Sequence, residues 1–273
     1  MLGSTRGRIL LVALVAIAVA ATASAQFGSR GPIVNGFANT ENNDGQFHYC
    51  RIVYNSARDG SGGNWRTDYP NADINLSVRL SELTRARVAR SHTGEPVHLL
   101  VRMTSPELFQ CPFVVLSAPG AVALSFDEAA RFREYLLKGG MLWADDFWGS
   151  YEWNHWEREL RKVFSEDEYP IIDVPLGHPL FRTQFEVEAI PQIPNIAFWL
   201  RTGGRTSERG PDSEVPHVRG IADETGRLMV VMTHNTDIAD AWEREGEDPR
   251  YFFTFGPKGY AVGINTVLYA LTH

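Results

Sequence analysis

The chain has 273 residues, 44% of them hydrophobic and 11% aromatic, and a formal net charge of −7. Length and composition allow a sizeable core and show no low-complexity tract, which excludes a disordered chain. The acidic balance disfavours nucleic acid or an anionic membrane surface as partner, because both reward clustered Lys and Arg.

Arg6 and Arg8 precede an apolar run over residues 9–21, and Ala23-Ser24-Ala25 is the small-x-small pattern that a signal peptidase reads. The pattern predicts a Sec-type signal peptide over residues 1–25 and export to a periplasmic or extracellular location. Membrane contact is then expected only through a leader that stays uncleaved. Residues 26–45, rich in Gly, Asn, Ser and Pro, read as a flexible linker, and residues 46–273 as a single domain.

Within that domain, residues 47–54 have strand character and residues 56–73 hold too many turn formers to be anything but a long loop. Asn71 or Asp73 can cap a helix running to about residue 90, with Leu76, Leu80 and Leu83 on one face. Strands are expected over residues 97–102 and 113–118. Ser125 then caps a helix with Asp127 and Glu128 in its first turn and Lys138-Gly139 at its end, followed directly by a strand over residues 141–144. This strand, turn, helix, Gly-Gly, strand order is a βαβ crossover, so the two strands are parallel and buried on both faces.

Farther along, Trp153, Trp156, Leu160 and Val163 make a helical stripe, and residues 171–174 a short strand. Residues 218–222 and 228–232 make a hairpin around 223–226, and helices over 237–245 and 260–271 close the chain. The alternation predicts a three-layer α/β sandwich with a mainly parallel sheet. Cys50 and Cys111 each sit in or beside an apolar run that reads as a strand. An oxidising compartment permits a bridge between them, but strands hold Cys as a small hydrophobe just as readily, and both readings stay open.

The stretch KGGMLWADDFWGS sets two carboxylates, Asp145 and Asp146, where a buried strand ends. Ligands of open parallel sheets bind beyond such ends. Because alternate residues face opposite ways, one carboxylate is expected toward the crevice and the other toward a helix N-terminus or loop amides. The competing reading has both solvated or capping the next helix. Trp148, with Trp65 and Tyr69, offers an aromatic wall for a sugar or peptide. His178, and the pair His234 and Asp237, follow other strands. Arg51 lies on the first strand, where a buried arginine needs a carboxylate such as Asp68 or Asp73. Asp and His converging at strand ends would suit a divalent metal, but no compact ligand spacing such as His-Glu-x-x-His occurs, so no metal and no cofactor are expected. The glycines at 60–63 lack the Lys-Ser/Thr of a phosphate loop.

Several segments carry a resemblance: FHYCRIVYN, WRTDYPNAD, CPFVVLSAPG, LLKGGMLWADDFWG, PLGHPLF, MTHNTDIADAW and AVGINTVLYAL. In number and order they resemble the bacterial domain of unknown function 4159 family. That family is similar in fold to class I glutamine amidotransferase-like proteins, which implies a flavodoxin-like α/β sandwich. In working amidotransferases a Cys nucleophile sits at a strand-to-helix elbow and a late His-x-Glu pair activates it. Here Asp145-Asp146 fill the elbow region, neither cysteine is near it, and His234 stands in a His-x-x-Asp spacing. A carboxylate cannot replace a thiolate as acyl acceptor, so the chain is not expected to be a glutamine amidotransferase.

The expected function is therefore a noncatalytic ligand-binding or envelope-assembly module. The resemblance implies partners among envelope proteins associated with MoxR-type ATPases and von Willebrand factor A proteins. The alternative is a hydrolase of an envelope glycan or peptide, with Asp145 or Asp146 as base beside His234 or His178. No catalytic residue is assigned.

Overall fold

The computed structural model describes residues 36–39 and 44–273; the expected signal peptide lies outside the described residues. The strands in chain order are β1 (Gly36–Phe37), β2 (Tyr49–Ile52), β3 (Asn55–Ser56), β4 (His98–Val101), β5 (Phe113–Ser117), β6 (Val122–Ala123), β7 (Met141–Asp145), β8 (Ile172–Asp173), β9 (His217–Ala222) and β10 (Leu228–His234). Eight of them form one sheet in the order β1-β4-β2-β5-β7-β10-β9-β8, while β3 and β6 pair separately. From β1 to β10 every neighbouring pair is parallel, and β9 and β8 add an antiparallel edge. The sheet is thus α/β and mainly parallel. Strand order reverses between β2 and β5, which have their chain-order neighbours on opposite sides.

The helices are α1 (Asn71–Leu83), α2 (Phe126–Leu137), α3 (Gly149–Leu160), α4 (Ile196–Thr202), α5 (Asp240–Glu243) and α6 (Pro249–Thr272). Strand residues alternate between the two faces, as a period of two requires. Tyr49, Phe113, Val115, Met141, Trp143 and Val231 pack with α1, α5 and α6. Cys50, Ile52, Val114, Leu116, Leu142, Ala144, Val230 and Met232 pack with α2 and α3. A parallel sheet covered on both sides is necessarily apolar along its whole strands, and every residue of β5 and β7 is buried. Cys50 and Cys111 are joined by a disulfide, Cα to Cα 6.2 Å, on the α2 side.

Four sequence expectations shift. Gly36–Phe37 lies within the stretch read as a linker, yet it adds to the sheet edge, with the Ala38 amide donating to the Leu100 carbonyl at 2.9 Å. Strand addition uses backbone groups and needs no apolar pattern. The helix expected to reach residue 90 stops at Leu83, and its cap position is Pro70 rather than Asn71 or Asp73. The chain beyond turns to pair with Phe47, whose amide donates to Arg87 O at 2.7 Å while its carbonyl accepts from Ala89 N at 2.9 Å, and this pairing overrides helix propensity. Leu83 is accordingly exposed while Leu76 and Leu80 are buried.

Helix α6 begins eleven residues before the expected position 260 and runs through Pro257. Its first turn is capped by Asp248, which accepts from the amides of Arg250 and Tyr251 at 2.8 and 3.1 Å. Two glycines on its inner face set how closely α5 can approach. A Cβ at Gly259 would stand 2.2 Å from Ala241 Cβ, and one at Gly263 2.7 Å from the Trp242 ring. Those two positions let α5 lie flat against α6, which places the carboxylates of α5. Finally, α4 has no counterpart among the expected elements, although Asn195 caps it through Ala197 N at 2.9 Å and Gly203, with φ of 70°, ends it.

Candidate functional site at the carboxyl ends of the strands

Three adjacent parallel strands leave the sheet through a left-handed residue: Ala118 after β5 (φ 51°), Asp146 after β7 (φ 62°) and Asn235 after β10 (φ 61°). Non-glycine residues in this region are uncommon, with Asn and Asp the best tolerated. Asp146 is therefore the corner of a strand-to-helix elbow between β7 and α3. The amides at the start of α3 are closed by side chains: Trp148 N donates to Glu152 Oε2, Gly149 N to Asn235 Oδ1 and Ser150 N to Asp212 Oδ2, each at 2.8 Å. These donors are taken, and Glu152 also binds Ser61 Oγ and Arg209 at 3.0 Å each.

The two consecutive aspartates face different partners. Asp145, 2% exposed, accepts the Thr233 hydroxyl at 2.5 Å and the amides of Ile238 and Ala239 at 3.3 and 3.0 Å. Trp143 Nε1 donates to the same hydroxyl at 2.9 Å, which orients the Thr233 proton toward Asp145. Burial pushes Asp145 up to about 6, against the pull of these hydrogen bonds. It staples β7 to β10 and to the loop before α5. Asp146, 8% exposed, accepts from Trp148 Nε1 at 3.1 Å. Burial, then the charges of Asp68 and Asp240, hold it well above the usual carboxylate range.

Around Asp146 the fold collects further acids. One carboxylate oxygen each from Asp68, Asp146 and Asp237 lies within 4.8 Å of the others, and so do oxygens of Asp68, Asp240 and Glu243. Asp237 Oδ1 accepts the Asp240 amide at 3.1 Å. Asp68 Oδ2 and Asp240 Oδ2 are buried without a hydrogen-bond partner. Burial pushes Asp68 up to about 7, partly offset by Arg51, and pushes Asp237 and Asp240 well up, with neighbouring acids adding to the effect. Among the described residues only Glu243 of these five has an ion pair, with Arg244 at 3.0 Å.

Asp68 is held there by Arg51. The guanidinium is wholly buried, binds Asp73 through Nε and Nη2, and donates Nη1 to the carbonyls of Trp65 and Thr67 at 3.2 and 2.9 Å and to Ser117 Oγ at 2.6 Å. Asp73, not Asp68, is thus its carboxylate partner, and the loop carrying Asp68 is tied down across the point where strand order reverses.

The remaining candidates lie elsewhere. His234 is buried on the α3 side of the sheet between Phe147 and Trp153, ring centroids 4.9 and 5.1 Å away. Arg219 donates to its Nδ1 at 3.1 Å, so Nε2 carries the proton and donates to Gly149 O at 3.1 Å. Burial lowers it to about 4. Its neighbour Thr233 is the residue that faces Asp145. His178 caps the turn at Leu180 and packs on Tyr269, whose hydroxyl binds Leu228 N at the start of β10, at the opposite rim of the sheet. Trp148 is buried, so it offers no open face, while Trp65 and Tyr69 are half-buried and contact each other edge to face at 5.8 Å in the loop.

Sequence reading named Asp68, Asp146 and Asp237 but missed Asp240, Glu243, Glu152, Thr233 and Asn235. One signal was available: Asp237, Asp240 and Glu243 recur every third residue, which puts them on one side of a helical turn. No local spacing could join Asp68 and Asp146 to that group, since they come from distant segments.

Fold and site together define an α/β domain with a buried carboxylate cluster at its strand ends and, among the described residues, no free thiol. Among the described residues no helix is long and apolar enough to cross a membrane. Residues 48–271 match the family model described as Domain of unknown function (DUF4159), and the chain belongs to that family. No curated protein matches the chain.

Proposed function

We propose that the chain is an exported, noncatalytic ligand-binding or assembly module on a flavodoxin-like scaffold of the class I glutamine amidotransferase-like kind. The strands β4-β2-β5-β7-β10, numbered among themselves, follow the order 2-1-3-4-5 of flavodoxin-like doubly wound sheets. The observation that carries the functional reading is the elbow after β7. A glutamine amidotransferase of this scaffold needs a thiolate there and an imidazole beside it. The corner is Asp146, both cysteines are bonded to each other, and both nitrogens of His234 are engaged on the other face.

Export is supported by the disulfide, since such bonds persist in oxidising compartments. Partners among envelope proteins associated with MoxR-type ATPases and von Willebrand factor A proteins fit an exported module of this kind. The hydrolase reading needs a carboxylate and an imidazole around one reacting atom. Asp145 is committed to Thr233 and two amides, and neither His234 nor His178 stands with Asp146, so the geometry favours binding.

The test uses purified protein with envelope-derived glycans and peptides. A rise in melting temperature with one of them, without turnover, is the expected result, because a ligand of the folded state alone must stabilise it. Turnover that disappears in Asp146→Asn would refute the noncatalytic reading.

A further inference from the structure

The five acids at the strand ends raise a chemical question of their own, because like charges gathered out of water are costly unless something neutralises them. We propose that Asp68, Asp146, Asp237, Asp240 and Glu243 form a paired binding site for hard divalent cations, one in each of two triads that share Asp68. The inference rests on the binding-module reading of the same site and gives the ligand a chemical class.

The geometry is suited to it. Oxygens that ligate one cation from opposite sides lie apart by twice the metal–oxygen distance, about 4–5 Å for magnesium or calcium. Each triad keeps its oxygens within 4.8 Å of one another, and Asp68 belongs to both. An independent observation points the same way. Asp240 is only 3% exposed, yet its Oδ2 has no hydrogen-bond partner, and Asp68 Oδ2 is buried in the same condition. Buried polar atoms are nearly always satisfied, so each orphan asks for a partner. A cation satisfies several carboxylate oxygens at once, which no single donor side chain does.

The donor set decides the kind of ion. Every ligand is a carboxylate, with no imidazole or thiolate, which selects calcium, magnesium or manganese over zinc or copper. Asp68 and Glu243 are half-buried and give the ion a way in. Once bound, a cation ties the Arg51-held loop to the β7 elbow and Asp237 in one triad, and to α5 in the other.

The experiment strips the full chain with EDTA and titrates it calorimetrically with calcium, magnesium and manganese chloride near neutral pH, with melting temperature read in parallel. Saturable binding of at least one ion, at or below about 1 mM, with a rise in melting temperature, is expected. Asp240→Asn and, on the half-buried loop, Asp68→Asn should each weaken that binding roughly tenfold or more. In EDTA both variants should melt no lower than the parent, since each removes one of several repelling charges. That readout separates a lost ligand from a lost fold, and Glu243→Gln replaces either variant that does not fold. No saturable binding by the parent, or variants that bind as tightly as the parent, would overturn the site. Stabilisation by an organic envelope ligand without cation binding would sink this inference and leave the binding module standing. Cation-dependent hydrolysis lost in Asp146→Asn would do the reverse.

Discussion

Arg51 and Asp73 form an ion pair wholly shut off from solvent, with Arg51 Nε 3.0 Å from both carboxylate oxygens. Burying two charges is not in itself stabilising, but removing one of them strands the other. Asp73→Ala should therefore cost about 3–5 kcal/mol in chemical denaturation. Arg51→Met combined with Asp73→Leu should cost less than the sum of the single changes. A loss from Asp73→Ala of under about 1 kcal/mol, the worth of a surface pair, would mean that the pair is solvated.

The Cys50–Cys111 bridge closes a loop of 61 residues between β2 and the segment that leads into β5. Constraining an unfolded chain over that length corresponds to about 4 kcal/mol. Urea denaturation of Cys50→Ser/Cys111→Ser should show a loss of that order, and peptide mass mapping of the non-reduced parent should recover the linked peptides. Free thiols in protein prepared under oxidising conditions would contradict the bridge and remove one support for export.

Asp146 holds a left-handed backbone at the elbow, where a Cβ is a cost and its carboxylate is repelled by Asp68 and Asp240. Both Asp146→Gly and Asp146→Ala remove the charge, but only glycine also relieves the backbone. The glycine variant should be more stable than the alanine variant by roughly 1 kcal/mol. Equal stabilities would show that the corner relaxes on substitution.

How much of the fold and site was legible depended on whether the cause was local. The β5-α2-β7 crossover could be read because Ser125 and Glu128 form a capping box and Gly139 takes φ of 104° at the helix end. The β9-β10 hairpin announced itself through Asp223, whose carboxylate accepts from the amides of Thr225 and Arg227. The start of helix α6 was hidden because Pro257 is a breaker by local rules, and only packing against α5 explains the continuation. The carboxylate at the elbow was visible, but the cluster around it was not, since Asp68 arrives on a loop that Arg51 folds back. His178 and His234 looked alike in sequence, each following a strand. One lies at the wrong rim and the other on the wrong face, and neither fact has a local signature.

His234 gives a pH dependence whose sign is set by its burial. The unfolded imidazole takes a proton as pH falls through 6.5, while the folded one resists until about 4. Between those values the unfolded state binds more protons, so stability is present above the upper value and is lost as acid is added. The gap corresponds to roughly 3 kcal/mol at full extent. Arg219 and His217 oppose protonation further, whereas the Gly149 carbonyl and Asp212 favour it. Other buried groups also titrate in this window, and the acids at the strand ends pull the opposite way, so the parent's curve alone is not diagnostic. The comparison is with His234→Gln, whose amide oxygen can accept from Arg219 and whose nitrogen can donate to Gly149. Some stacking against Phe147 and Trp153 is lost, which lowers stability at neutral pH. Urea midpoints measured from pH 7 down to the lower titration point should then fall less steeply for the variant than for the parent. Parallel curves would mean that His234 takes up its proton in the folded state, which would place it in contact with water rather than sealed beneath α3.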